Sequence, residues 1–315
     1  MNDLLSTTFL VGLIAATLRV ATPLVFGTVG EVITERAGIL NLGIEGIMFL
    51  GAFVGFAAAA KAEAAGIAGY LWIGLLAAVV SGLLMALLMG LLTVTLGLNQ
   101  HVSGLGITLL ATALSLFGFR VVFGESSVLP SIDPFPQLAP LAKSATLNPI
   151  FSQYLLTYVA FLVIVPLGWW VLFRTNFGLN LRSVGENPEA ADAAGINVFR
   201  TRYAALLIGG GLMAVGGAFL SLASLGAFSP GIIAGRGWVC IALVIFARWN
   251  PVRGMLGALL FGGVFALQLR LQTLGFALPY EVLLALPYLV TIAALAIAGR
   301  NAAYPGAYLK PYRRE

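Results

Sequence analysis

The chain has 315 residues, of which 60% are apolar and only 9% charged; soluble domains run at about 45–50% apolar and about 25% charged, so a water-soluble globular fold is excluded and a polytopic membrane protein is expected. Most of the basic residues behind the net charge of +5 fall in loops on one side, which points to membrane orientation and not to a nucleic-acid partner. Cys240 is the only cysteine, which rules out an internal disulfide and a cysteine-based metal site.

In chain order, the opening MNDLLSTTFLVGLIAATLRV lacks a basic leader and carries Arg19 where a cleaved signal is apolar. It reads as a first membrane helix. A bilayer core of about 30 Å takes roughly 20 apolar residues. Such runs stand at 7–29, 38–60, 69–96, 101–123, 152–173, 203–225, 254–273 and 279–299. The shorter run 238–247, between Arg236 and Arg248, fits a re-entrant segment, a half crossing or part of a tilted helix. The expected fold is all-α, a single transmembrane domain over 1–315 with about 8–10 helices. Gly51 and Gly55, and the ladder Gly82, Ala86, Gly90, suit close helix packing, where small residues let backbones approach.

Charges inside apolar segments are functional candidates by default. Arg19 lies near the middle of the first run and Glu45 in the second; both fall roughly 10–15 Å from the same face, and they are expected to pair as an architectural element. Asn99, Gln100 and His101 open another segment, and Asn41 precedes Glu45. Together these four either line a path for a neutral hydrogen-bonding solute or serve as caps and packing groups at helix ends. The stretch 124–151 holds Pro130, Pro134, Pro136, Pro140 and Pro149, which makes a stiff external loop. It is either a connector or a partner-binding surface. Trp238 and Trp249 bracket the short run, as interfacial anchors would.

The polar loop 174–202 contains a small helix. Asn187 is a good N-cap, Pro188 suits the first helical position and Glu189 faces the positive end of the dipole. Gly195 falls where a left-handed residue ends the helix. That leaves about two turns, too short to be stable alone in water. Ala190, Ala191 and Ala194 give it a small-residue side on which another surface can dock. Placing this loop in the cytoplasm also puts Arg36, Arg248, Arg253, Arg300, Lys310, Arg313 and Arg314 there, leaving Lys61, Lys143 and Arg236 outside. With nine crossings the N-terminus is then external.

The missing chemistry is informative. A phosphate-binding loop needs a Gly-Lys step, yet the three lysines follow Ala60, Ala142 and Leu309. A lone histidine supports no catalytic triad, there is no HExxH, and no cofactor is implied. Enzymatic activity is not expected.

Four blocks together resemble one family: ERAGILNLGIEGIMFLGAF (35–53), LNQHVSGLGITLLA (98–111), GENPEAADAAGINV (185–198) and GRGWVCIALVIFARWNPVRG (235–254). They are similar to the simple-sugar and nucleoside branch of bacterial ABC importer permeases, within the branched-chain amino acid and ribose permease superfamily. The resemblance implies an inner-membrane permease that works by alternating access beside a second, related permease. It implies a separate ATPase with two nucleotide sites and an extracytoplasmic solute-binding protein. Asn187, Pro188, Glu189, Ala190, Ala191 and Gly195 would then form the cytoplasmic coupling helix. Two alternatives stay open: a branched-chain amino acid permease of the same superfamily, and an ion-coupled secondary transporter using Glu45 or His101.

Overall fold

The computed structural model describes residues 7–124, 130–140, 144, 148–273, 280–298 and 303–313. Lys143, Arg300 and Arg314, assigned to sides above, lie outside them. Among the described residues seven helices are long and apolar enough to cross a membrane. They are α1 (Thr7–Arg36), α2 (Ile44–Ala64), α3 (Tyr70–Thr95), α4 (Gln100–Phe123), α5 (Leu155–Arg174), α8 (Val198–Leu225) and α10 (Pro251–Thr273). Between α5 and α8 lie two short helices, α6 (Asn176–Glu186) and α7 (Pro188–Ala193). Two further apolar helices are α9 (Arg236–Ala247) and α11 (Tyr280–Ala298).

The centre of the bundle is α8 packed against α1, α2 and α3. Small residues make this packing possible. A methyl group on Gly82 would collide with the Gly210 carbonyl of α8, and one on Gly217 with the Met48 carbonyl of α2. Near Gly51 a methyl would sit 2.6 Å from the Ala214 carbonyl. Backbones in contact replace the water-driven attraction that helices lack in lipid.

At one end, residues 130–140 fold back over the bundle. The two-residue strands β1 (Gln137–Leu138) and β2 (Gln153–Tyr154) pair antiparallel, Ile132 N donates to the Gly226 carbonyl at 2.8 Å, and Phe135 meets Trp72 edge-on at 5.2 Å. The described part of the proline-rich loop is thus a cap on its own domain.

Several expectations need correction. The first helix does not stop at residue 29 but runs to Arg36, because Glu31 and Glu35, which end the apolar run in sequence, are fully buried by the rest of the fold. Arg19 therefore stands 17 residues, or roughly 25 Å, from the end of α1, while Glu45 is bound at the start of α9, whose far end meets Glu35 and Arg36. The expected Arg19–Glu45 pair does not form. Arg19 instead donates to Gln153 Oε1 (3.2 Å), Gln137 Oε1 (3.3 Å) and the Ser152 carbonyl (3.0 Å), pinning the folded-back segment to α1.

Glu45 has a different task. Its two carboxylate oxygens accept from Gly235 N (2.8 Å) and Gly237 N (2.7 Å), the otherwise orphaned donors that open α9. At 12 residues, α9 spans about 18 Å and is a half crossing. Arg236 consequently does not sit in an outer loop. It opens α9 at the depth of Glu45, donates to the Ile232 and Ile233 carbonyls (3.2 and 2.8 Å), and lies over the Phe265 ring. The charge asymmetry is also less complete than expected, since Arg120 ends α4 on the side of Lys61 and Arg270 reaches the Phe9 carbonyl near the start of α1.

Candidate functional site

The polar loop folds as two helices where sequence reading anticipates one. Thr175 caps α6 by accepting from Gly178 N (3.1 Å), and Gly178, Leu181, Val184 and Gly185 form its buried side. Gly178 packs on the Val171 and Leu172 carbonyls, and Gly185 on the Arg36 carbonyl. That spacing, three or four apart behind a threonine cap, was the available signal.

Asn187 is the single extended residue between α6 and α7 (φ −150°, ψ 96°). Its side chain accepts from Ala190 N at 3.0 Å, Pro188 follows at the first position, and Gly195 takes φ +85°, as the sequence requires. Glu189, Ala190, Ala194 and Gly195 are exposed. Ala191 alone faces inward, joining Val184, Val198 and Tyr312 in a small separate apolar cluster. Helix α7 is therefore a six-residue helix whose outer surface carries only small and acidic side chains. A polar groove of ≈ 280 Å³ separates its start from Lys310 and Arg313.

Behind this loop is a network that the sequence reading missed. Glu31 and Glu35, one turn apart on α1, are both fully buried. Glu31 accepts from Asn41 N (2.9 Å) and Thr34 Oγ1 (3.0 Å). Glu35 accepts from the Trp249 indole N–H at 2.7 Å. None of these donors is a cation. Trp249 is therefore no interfacial anchor. It is 1% exposed, and it follows Arg248 in a left-handed turn (φ +49° and +55°) that ends α9. The Tyr304 and Tyr308 rings flank it at 5.0 and 6.4 Å. Burial beside Glu35 pushes the Tyr308 hydroxyl far above its ordinary pKa, so it stays a neutral donor. Arg36 links the two regions, donating to the Trp249 carbonyl at 3.3 Å while it faces Glu186 at the end of α6.

The polar residues expected on a path or at helix ends sit where the start of α4 meets the α1–α2 turn. Asn99 caps α4, accepting from His101 N (2.9 Å) and Val102 N (3.2 Å). Gln100 is buried and braces the α1–α2 turn through Leu40 N (2.8 Å) and the Gly38 carbonyl (3.4 Å). Asn41 is buried and accepts from Gly43 N at 3.0 Å. His101 is exposed at the start of α4. Capping and bracing account for the first three.

Comparison with known proteins places this arrangement. A family model described as "Branched-chain amino acid transport system / permease component" matches residues 13–295. The chain is 39% identical to a Haloferax volcanii protein provisionally named as a glucose ABC transporter permease, over 98% of this chain and 99% of the relative. It is 37% identical to a nucleoside ABC transporter permease of Lactococcus lactis, covering 90% and 91%. A guanosine ABC transporter permease of Bacillus subtilis is 35% identical, covering 95% and 96%. No solved structure is detectably similar.

Proposed function

The chain belongs to the branched-chain amino acid transport system permease family, a multi-pass inner-membrane component of ABC importers and not an enzyme, and from that premise we propose that it imports a nucleoside or simple sugar. The observation that carries the solute class is the full-length similarity to permeases whose names give glucose, nucleosides and guanosine. Helix α7 is the docking helix for a separate ATPase with two nucleotide sites. The basic end, with Arg36, Arg174, Arg182, Arg200 and Arg248, faces the cytoplasm by the positive-inside rule. A second, related permease completes the translocation path, and an extracytoplasmic binding protein delivers solute at the opposite end.

Mechanically, the permease needs no reactive group. ATP-driven closure of the motor moves α7, and the bundle switches between outward and inward openings. The neutral class of solute accords with charges that are already engaged: Glu45 on α9, Glu31 on α1 and the α1–α2 turn, and Arg19 on the folded-back segment. Glu45, held by two backbone donors, is a poor coupling ion site, and His101 stands exposed at a helix start. Both weigh against a secondary transporter.

The test is competition in proteoliposomes holding the reconstituted importer and loaded with ATP. Guanosine or glucose uptake should proceed with an uncoupler present and be competed by one of those two classes, while leucine has no effect. Uptake that leucine competes away supports the branched-chain amino acid reading, and uptake that collapses with the uncoupler at constant ATP supports ion coupling.

A further inference from the structure

We propose that residues 303–313 are a strut that transmits the movement of α7 to the membrane bundle, an inference that rests on α7 being the motor's docking helix. Helix α7 is joined to α6 through one extended residue, Asn187, and buries only Ala191. Pushed from outside, α7 could pivot at Asn187 and in the four-residue link 194–197 to α8, and so move without displacing α6 or the α1–α2 turn behind it. Something must stiffen the joint.

Residues 303–313 are placed to do so. Within five residues of backbone, the segment bonds to the α6 side of the hinge and to the bundle. Gly306 N donates to Glu186 Oε2 (3.1 Å) and Ala307 N to the Gly185 carbonyl (2.9 Å). Leu309 N donates to the Gly38 carbonyl (3.2 Å), in the turn between α1 and α2. The Lys310 carbonyl accepts from buried Arg202 at 3.4 Å, whose Nε donates to the Ala37 carbonyl at 3.3 Å. Tyr312 then enters the small cluster with Ala191 itself.

The same segment carries Tyr304 and Tyr308, whose rings lean on Trp249, and Trp249 holds Glu35 of α1. A displacement of α7 therefore pulls on the α1–α2 turn by one route and on the junction of α9 and α10 by another. Leu309 is held at φ +65°, a conformation that is strained for a non-glycine residue and persists where the surroundings over-determine it. Closely packed elements of this kind respond by shifting as units, since their interiors do not compress.

Two variants of the complete importer in proteoliposomes test the strut: Ala307→Pro, which deletes the N–H that meets Gly185, and removal of every residue from Tyr304 onward. The readouts are the ATPase retained through affinity purification, and ATP hydrolysis with and without solute-loaded binding protein. Both variants should keep the motor and its basal hydrolysis, while stimulation by loaded binding protein and uptake fall roughly tenfold, the scale of a typical coupling free energy. Ala307→Gly, which restores the N–H, should recover the stimulation, a rescue that loss of the Ala307 side chain alone would not permit. Unchanged stimulation in both variants overturns the strut, as does loss of the motor in step with loss of stimulation. Failure of the docking reading looks different: the wild-type permease itself retains no motor, and the strut falls with it.

Discussion

Replacing Glu189 with Trp is expected to leave a folded permease in the membrane and to cut capture of the ATPase sharply. Glu189 is exposed at the start of α7, on the rim of the open groove toward Lys310 and Arg313, so the substitution leaves the packed core untouched. A motor groove shaped for a small-residue helix cannot admit an indole. Overpacking of a fitted surface costs about 1–3 kcal/mol or more, and every 1.4 kcal/mol is about tenfold in affinity. Co-purified ATPase should therefore drop by about tenfold to a hundredfold, and uptake with it. Gly195→Trp should do the same by a second route. Its φ of +85° is ill-suited to an L-residue, so the substitution also frays the end of α7. If Glu189→Trp gives undiminished complex and full uptake, the docking role of α7 is refuted.

The second large effect belongs to Trp249. Trp249→Ala empties a fully enclosed site, leaves Glu35 Oε2 without its donor, and removes the surface on which Tyr304 and Tyr308 rest. Large-to-small changes of an aromatic residue in a core cost about 3–5 kcal/mol. Trp249→Phe keeps most of the volume and removes mainly the hydrogen bond, at about 1–3 kcal/mol. Thermal unfolding in detergent should rank the variants in that order. The double variant Trp249→Phe with Glu35→Leu should lose less than the sum of the two single losses, because neither partner is then left buried and unsatisfied. Additive losses would mean that the indole and the carboxylate are energetically independent.

The sequence carried much of this architecture because local chemistry and burial agree along most of the chain. The run at 101–123 appears as Gln100–Phe123, and the run at 69–96 as Tyr70–Thr95. Helix α7 was legible residue by residue, since cap, first-turn proline and terminal glycine are local signals that tertiary structure did not override. Hydropathy failed where a charge was buried by distant residues. Glu31 and Glu35 end an apolar run in sequence, yet loop 38–43, Trp249 and Tyr308 enclose them in space. Arg19 was matched to the wrong partner for the same reason, because shortening α1 by seven residues brought two distant charges to one level. The contacts of 303–313 with Gly38 and Gly185 leave no periodic trace. Backbone donors and acceptors are the same at every residue, so such pairings can be found only in the folded chain.

The central claim is that α7 faces the compartment where ATP is hydrolysed. Ala193 is exposed on α7, and Cys240, the only native cysteine, is buried. An Ala193→Cys variant can therefore be treated with a membrane-impermeant maleimide in sealed vesicles of known orientation. The account predicts labelling in inside-out vesicles and protection in right-side-out ones. Labelling from the exterior would put α7 beyond the reach of any ATPase and contradict the account.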